Sequence, residues 1–262
     1  MDLDPALAAL RPLGGFFALH TPPGGSVEPS GPLPTLAQAY AEPLETPQNP
    51  ETPDSATSDV YRDPLTFRVR KVTRALRAPE GRIGASVAQQ GLAARLWSVT
   101  LGCAVLYGSV PDLAPGLLRW DPDAGAPDDL WLTEVRARPG DAATVAATVL
   151  DGHLEPLSAA LRARHPVAPG LLRGNAGSAL AGTARQLGQW ARAHGRPDVA
   201  ARARALTAEL FTHPLLADTG TLTGTAFRRR SCCLYYRVPG GGLCGDCCFT
   251  RPPRSSPRAP SG

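Results

Sequence analysis

Between residues 65 and 226 apolar positions recur mostly at helical spacing, so the pattern predicts a largely helical body. Thr66 to Arg77 reads as a polar, basic helix. Ile83 to Tyr107 reads as the central buried one, closed by Gly108 and Pro111. Asp141 is placed to cap a helix through Val149, and Pro156 starts or kinks the next, which stops before Pro166. With a substrate-ligand role as the alternative, Asn175 is placed to cap the following helix. Along it Leu180, Ala184, Leu187 and Ala191 form one stripe before Gly195 and Pro197 end it. Val199, Ala203, Leu206 and Leu210 make a further stripe, and all of these read as core faces.

The strand signal is smaller. Leu117 to Trp120 and Asp129 to Val135 flank the Pro/Asp/Gly loop Asp121–Asp128 and read as a hairpin. Phe16 to His20 reads as an edge strand after a short helical pattern from Pro5 to Leu10. From Thr21 to Asp63 prolines and acids dominate, so this stretch reads as loop-rich and partly disordered, with a short helix at Pro34–Tyr40. The expected class is therefore α+β, predominantly helical: a helical core with a small antiparallel hairpin and a C-terminal cysteine-rich segment. The expected division is a loop-rich 1–64, a mainly helical 65–226, a cysteine segment 227–250 and a disordered Pro/Ser/Arg tail 251–262.

Composition changes this picture little until charge is mapped. The 27 glycines and 28 prolines mark turns and tails, and the single lysine, Lys71, among many arginines is a compositional bias rather than a nucleic-acid signature. The net +4 is uneven: from Arg228 onward seven arginines face one acid, Asp246, whereas the rest holds 20 basic and 22 acidic residues. A positive end favours an acidic electron donor or an anionic chelate. Met1–Pro5 is acidic where an export signal is basic, and the strongly apolar run Leu96 to Tyr107 is short of the roughly 20 residues that span a bilayer. A cytoplasmic protein without integral membrane association is expected, and there clustered thiols serve as metal ligands more often than as disulfides.

Five of the six cysteines fall between Cys232 and Cys248; Cys103, alone on the central helix, reads as a core residue. Cys244-Gly245-Asp246-Cys247 is a turn whose two sulfurs can face one zinc or iron ion. The adjacent Cys232 and Cys233 point apart and chelate one tetrahedral ion poorly, whereas a two-iron core, with thiolate positions on two metals, accommodates them with less strain. Pro239-Gly240-Gly241-Gly242 turns the chain so that the two pairs can meet, and it lacks the lysine of a phosphate loop.

The run Arg228 to Tyr236 followed by Cys244-Gly245-Asp246-Cys247 resembles the C-terminal signature of the FhuF-type ferric iron reductases. Ala93–Leu96, Val110–Leu113 and Gly174–Leu180 are similar to segments of that family's actinobacterial-type members. The resemblance implies a [2Fe–2S] cluster on Cys232, Cys233, Cys244 and Cys247, used in the cytoplasm to reduce a ferric siderophore of hydroxamate or catecholate type. Cys248 stands where the family more often has a small or apolar residue, and the spacing from Cys244 favours Cys247 as the fourth ligand. Arg230, Tyr235, Tyr236 and Arg237 are candidate groups around the cluster or for docking.

Other chemistries find no support. There is no Gly-x-Ser-x-Gly elbow and no HExxH, and the five histidines are scattered. Flavin and nicotinamide fingerprints are missing, so electrons would come from a separate donor protein or reductant. Two competing classes are a structural zinc module for protein contacts and an iron–sulfur redox sensor; no basic recognition helix supports nucleic-acid binding by the latter.

Overall fold

Two long helices carry the molecule, and their sequences explain why they pair. The computed structural model describes residues 7–21, 33–41, 60 and 62–253. Helices α1 (Leu36–Tyr40) and α2 (Pro64–Ala75) precede α3 (Gly81–Tyr107), which is apolar almost all round and therefore buried. Then come β1 (Ser109–Pro111), β2 (Leu118–Trp120), β3 (Leu130–Leu132) and β4 (Ala137–Pro139). Helices α4 (Ala142–Ala146), α5 (Glu155–Arg164), α6 (Pro169–Ala193), α7 (Pro197–Leu210) and α8 (Pro214–Ala217) follow, and β5 (Gly220–Thr223) and β6 (Ala226–Arg229) close the order.

The α6 face that meets α3 is built of small residues, so the backbones approach closely enough for direct polar links. Trp97 Nε1–H donates to the Ala176 carbonyl at 3.1 Å, and the Ser98 and Thr183 hydroxyls meet at 3.2 Å. Trp97, Leu96, Leu101, Leu180, Ala184 and Leu187 are all buried, and each large apolar side chain so placed contributes about 1.5–3 kcal/mol. Leu180, Ala184, Leu187 and Ala191 are the buried stripe expected from their spacing.

The helix ends follow their capping chemistry. Thr66 N–H donates to Asp63 Oδ1 at 3.0 Å with Pro64 in the first turn, Thr144 N–H donates to Asp141 Oδ1 at 2.8 Å, and Gly108 ends α3 in the left-handed region at φ 70°. Between α4 and α5 the chain widens into a π-helical stretch, Ala147–Leu154. Pro156 has no N–H for the Gly152 carbonyl and would crowd it, and the wider turn relieves that contact.

Among the described residues three antiparallel pairs make up the strands, β1 with β4, β2 with β3, and β5 with β6. The β2–β3 hairpin sets Leu118 opposite Leu132 and Trp120 opposite Leu130, all four buried. Arg95 fixes its loop to α3: Nε donates to Asp129 Oδ1 at 2.8 Å in a buried ion pair, and Nη1 takes the carbonyls of Gly15 and Phe16. That capture corrects one expectation. Phe16 to His20 is not a strand, because Gly15–Phe17 coils into a 3-10 turn whose carbonyls are spent on Arg95, and only His20 bridges to Trp131.

A second correction concerns Asn175. Helix α6 starts upstream at Pro169, a proline suited to a first turn, so Asn175 lies inside the helix and caps nothing. The short helix expected at Pro34–Tyr40 is present as α1, with a capping box between Thr35 and Gln38. Of the helical pattern from Pro5, Leu7 and Ala8 are helical, while most of Thr21–Asp63 and of the 251–262 tail lies outside the described residues. Among the described residues no helix is long and apolar enough to cross a membrane.

Candidate metal centre

Small residues on α6 create a shelf, and the β5–β6 hairpin rests on it. A Cβ on Gly174 would lie 2.2 Å from Ser231 Oγ and 3.0 Å from Arg229 Nη2, and one on Gly177 would lie 2.8 Å from Thr219 Oγ1 and 3.2 Å from the Phe227 ring. Strand β6 alternates, with Phe227 and Arg229 buried and Ala226 and Arg228 exposed, so every second residue faces the helix. Phe227 packs on Phe211, ring centroids 5.1 Å apart.

Arg229 is 2% exposed. Its Nε donates to the Ser231 carbonyl at 3.0 Å, and Nη2 donates to Asn175 Oδ1 at 2.7 Å and the Leu171 carbonyl at 3.2 Å. Asn175 Nδ2 in turn donates to the Ser86 carbonyl at 2.9 Å and to Ser86 Oγ at 3.1 Å, and Ser86 Oγ donates to the Cys233 carbonyl at 2.8 Å. A buried polar chain thus runs from the hairpin through α6 and α3 back to the first cysteine pair. Buried groups of this kind are costly unless every member is bonded, which makes the chain a positional constraint.

The second pair is fixed from the other side. Asp246, in the Cys244–Cys247 turn, is buried; it accepts from Ser178 Oγ at 2.5 Å and pairs with Arg185 through both carboxylate oxygens, at 3.0 and 3.2 Å. Its carbonyl accepts the Arg229 backbone N–H at 3.0 Å, and Cys247 N–H closes the turn on the Cys244 carbonyl at 3.1 Å. Gly240, at φ 72°, and Gly241, whose Cβ would fall 2.6 Å from the Tyr235 carbonyl, turn the chain between the pairs as the Pro/Gly run predicts.

The four cysteines singled out by spacing come together as far as pairs. Cys233 accepts a hydrogen bond from Cys244, which holds the Cys233 thiol down to about 6; burial opposes this, and the Tyr235 N–H and the Arg229 charge assist it. Cys244, the donor, is raised by the same bond and by burial. Burial pushes Cys232 up to about 11 against the Leu234 N–H, which donates to its Sγ at 3.2 Å, and Cys232 is within Coulombic reach of Cys247 and Cys248. Cys247 Sγ accepts the Phe249 N–H at 3.4 Å, and burial raises Cys248 beside it. Leu234 stands at φ 69°, a strained position for a branched residue, and that twist delivers its N–H to sulfur. Among the described residues no three Cys, His, Asp or Glu side chains converge as they would on one ion.

The family model for the FhuF 2Fe-2S C-terminal domain matches residues 229–249. The segment is therefore of the FhuF 2Fe-2S type. No curated protein matches the chain. The FhuF domain indicates a [2Fe–2S] cluster as the cofactor. The residues present fit it: thiols in pairs suit two metals, backbone N–H groups already reach two sulfurs, and the buried Nη1 of Arg229 has no hydrogen-bond partner among the described residues.

The residues expected around the FhuF segment divide. Arg230 turns away to Asp218, Nη1 to Oδ1 at 3.0 Å, in an exposed pair, and Arg237 Nη2 holds Glu80 Oε1 at 2.8 Å. Tyr236 packs edge-on to Phe249, centroids 5.8 Å apart, while Tyr235 is exposed. The sequence does not single out Arg229, Ser86 or Asp246 as site residues, and it offers Asn175 as a cap or a substrate ligand rather than as an anchor. A signal existed for two of them: the alternation from Ala226 to Arg229 puts Phe227 and Arg229 on one face, and Asp246 is the sole acid after Arg228. Cys103 is a buried core thiol, raised to about 12 by burial.

Proposed function

We propose that Cys232, Cys233, Cys244 and Cys247 ligate the cluster and that the protein reduces chelated ferric iron. The substrate is a ferric siderophore, and one-electron reduction releases Fe(II). When bound, a [2Fe–2S] cluster supplies single-electron transfer at a potential set by charge, burial and hydrogen bonds to sulfur. On the substrate side, Fe(II) carries less charge and is held less tightly by the hard oxygen donors of a chelator.

The observation that carries this reading is the placement of the thiols. Cys232, Cys244 and Cys247 are only partly buried, so an electron can leave by contact at the surface without a channel for the chelate. Beside them in the chain stand exposed Tyr235 and Phe249, and the exposed Arg228 donates from Nη2 to the Cys248 carbonyl at 3.4 Å, a cationic and aromatic edge suited to an anionic chelate or an acidic donor protein. The chain's own residues hold geometry: Ser86 and Asp246 each anchor one cysteine pair to the helices, and Glu80 anchors the turn between the pairs through Arg237. We place this activity in the cytoplasm, where thiols stay reduced, with a separate electron donor. The body 65–226 serves as the platform and 227–250 as the redox segment.

Anaerobic mixing of dithionite-reduced protein with ferric hydroxamate and ferric catecholate complexes tests the reading. Cluster reoxidation matched by ferrous trapping supports it; a cluster that stays reduced with every chelate removes it. Iron and acid-labile sulfide in the purified protein separate it from a structural zinc module.

A further inference from the structure

A buried guanidinium normally finds a carboxylate, because leaving one uncompensated costs several kcal/mol and arginine cannot shed its proton to escape. Arg95 has Asp129. Arg229 is as buried as Arg95, yet among the described residues it is in no ion pair. Its partners among the described residues are neutral, the Ser231 and Leu171 carbonyls and Asn175 Oδ1, and its buried Nη1 has none among them. The strand and the Asn175–Ser86 chain therefore hold a fixed positive charge against the cysteine segment, with no carboxylate partner among the described residues.

We infer that Arg229 is the counter-cation of the centre, a positioning residue whose charge raises the reduction potential of the bound cluster and whose free N–H donates to it. The inference rests on the proposed ligation by the neighbouring cysteines. Two ferric ions, two sulfides and four thiolates sum to a dianion, and one electron from the donor adds a further negative charge, so a nearby cation stabilises the reduced form more than the oxidised one. Arg229 is within Coulombic reach of Cys233, Cys244 and Cys248, and its backbone N–H is bonded to the carbonyl in the middle of the second cysteine turn. Among the described residues the other arginines from 228 onward, Arg228, Arg230, Arg237 and Arg251, are exposed, where water and salt screen them.

The test is a spectroelectrochemical titration of the cluster in the wild type, Arg229→Gln and Arg229→Lys, each after iron and acid-labile sulfide are counted per chain. Arg229→Gln is expected to lower the equilibrium constant for reduction by tenfold or more, about 59 mV for a one-electron couple, while Arg229→Lys keeps most of the wild-type potential. An unchanged potential in Arg229→Gln, or an equal fall in both variants, overturns the inference. Where Arg229→Gln does not retain a cluster, Asn175→Asp sets a carboxylate on Nη2 with Arg229 in place. The same fall supports the inference and no fall overturns it. Loss of the cluster in all three variants makes these residues a folding requirement and also overturns it. A wild type without iron and sulfide defeats the ligation itself, a separate outcome.

Discussion

Replacing Asn175 by alanine separates a helix cap from a buried strut by magnitude. An exposed cap is worth about 1 kcal/mol, and its loss would leave the cysteines untouched. In the structure Asn175 is fully buried, accepts from the Arg229 guanidinium at 2.7 Å and donates to Ser86, which holds the Cys233 carbonyl. Losing the charged hydrogen bond costs about 1.5–3 kcal/mol and the bond to Ser86 about 1 kcal/mol more, while Arg229 Nη2 keeps the Leu171 carbonyl as partial relief. The expected total is about 3 kcal/mol, a fall in Tm of about 6–12 °C for a chain of this size. If that penalty acts on local opening of the cysteine segment, cluster loss to a chelator speeds up by about two decades. Urea unfolding of the metal-free protein measures the first quantity, and decay of the visible absorption under excess chelator the second. A loss near 1 kcal/mol with an unchanged decay rate would refute the strut.

Further outcomes follow from single contacts. Asp246→Asn keeps the Ser178 hydroxyl bond but gives up the pair with Arg185, which is 35% exposed and strands no buried charge; the cost is about 1–2 kcal/mol, read by urea unfolding, with cluster loss about tenfold faster. Cys248→Ser keeps the visible spectrum and Cys247→Ser abolishes it; the reverse pattern would make Cys248 the fourth ligand. Burial holds His153 down to about 4, with Nε2–H donating to the Leu113 carbonyl and Nδ1 accepting from the Tyr40 hydroxyl. Because the unfolded chain binds that proton more readily, its contribution is full above about 6.5 and is lost as pH falls toward 4, a drop of about 3 kcal/mol that His153→Gln should remove from the urea profile.

What the sequence disclosed was what periodicity can carry. The span of α3 to Tyr107, its end at Gly108, the Asp141 cap and the Leu180–Ala191 stripe are local facts, written in adjacent residues. Asn175 was misread because a lone amide among small residues after a Pro-Gly start has the profile of a cap. Its real partners, Ser86 and Arg229, are remote in sequence and unrelated by any period. The β1–β4 pair escaped notice because three residues are too few to show alternation, and the β5–β6 hairpin because one of the two buried positions on β6 is an arginine. In the cysteine segment the spacing was legible, whereas the anchors were not, since a sequence shows which thiols lie close along the chain before it shows what holds them still.

The glycine shelf on α6 has a consequence for transplantation. The cysteine-bearing stretch has little regular structure beyond β6 and one 3-10 turn, and its shape is borrowed from Gly174, Gly177, Ser178, Asn175 and Ser86. A graft of residues 229–249 onto a foreign scaffold would carry the sulfurs without their mould, and would need a matching groove carved into the host.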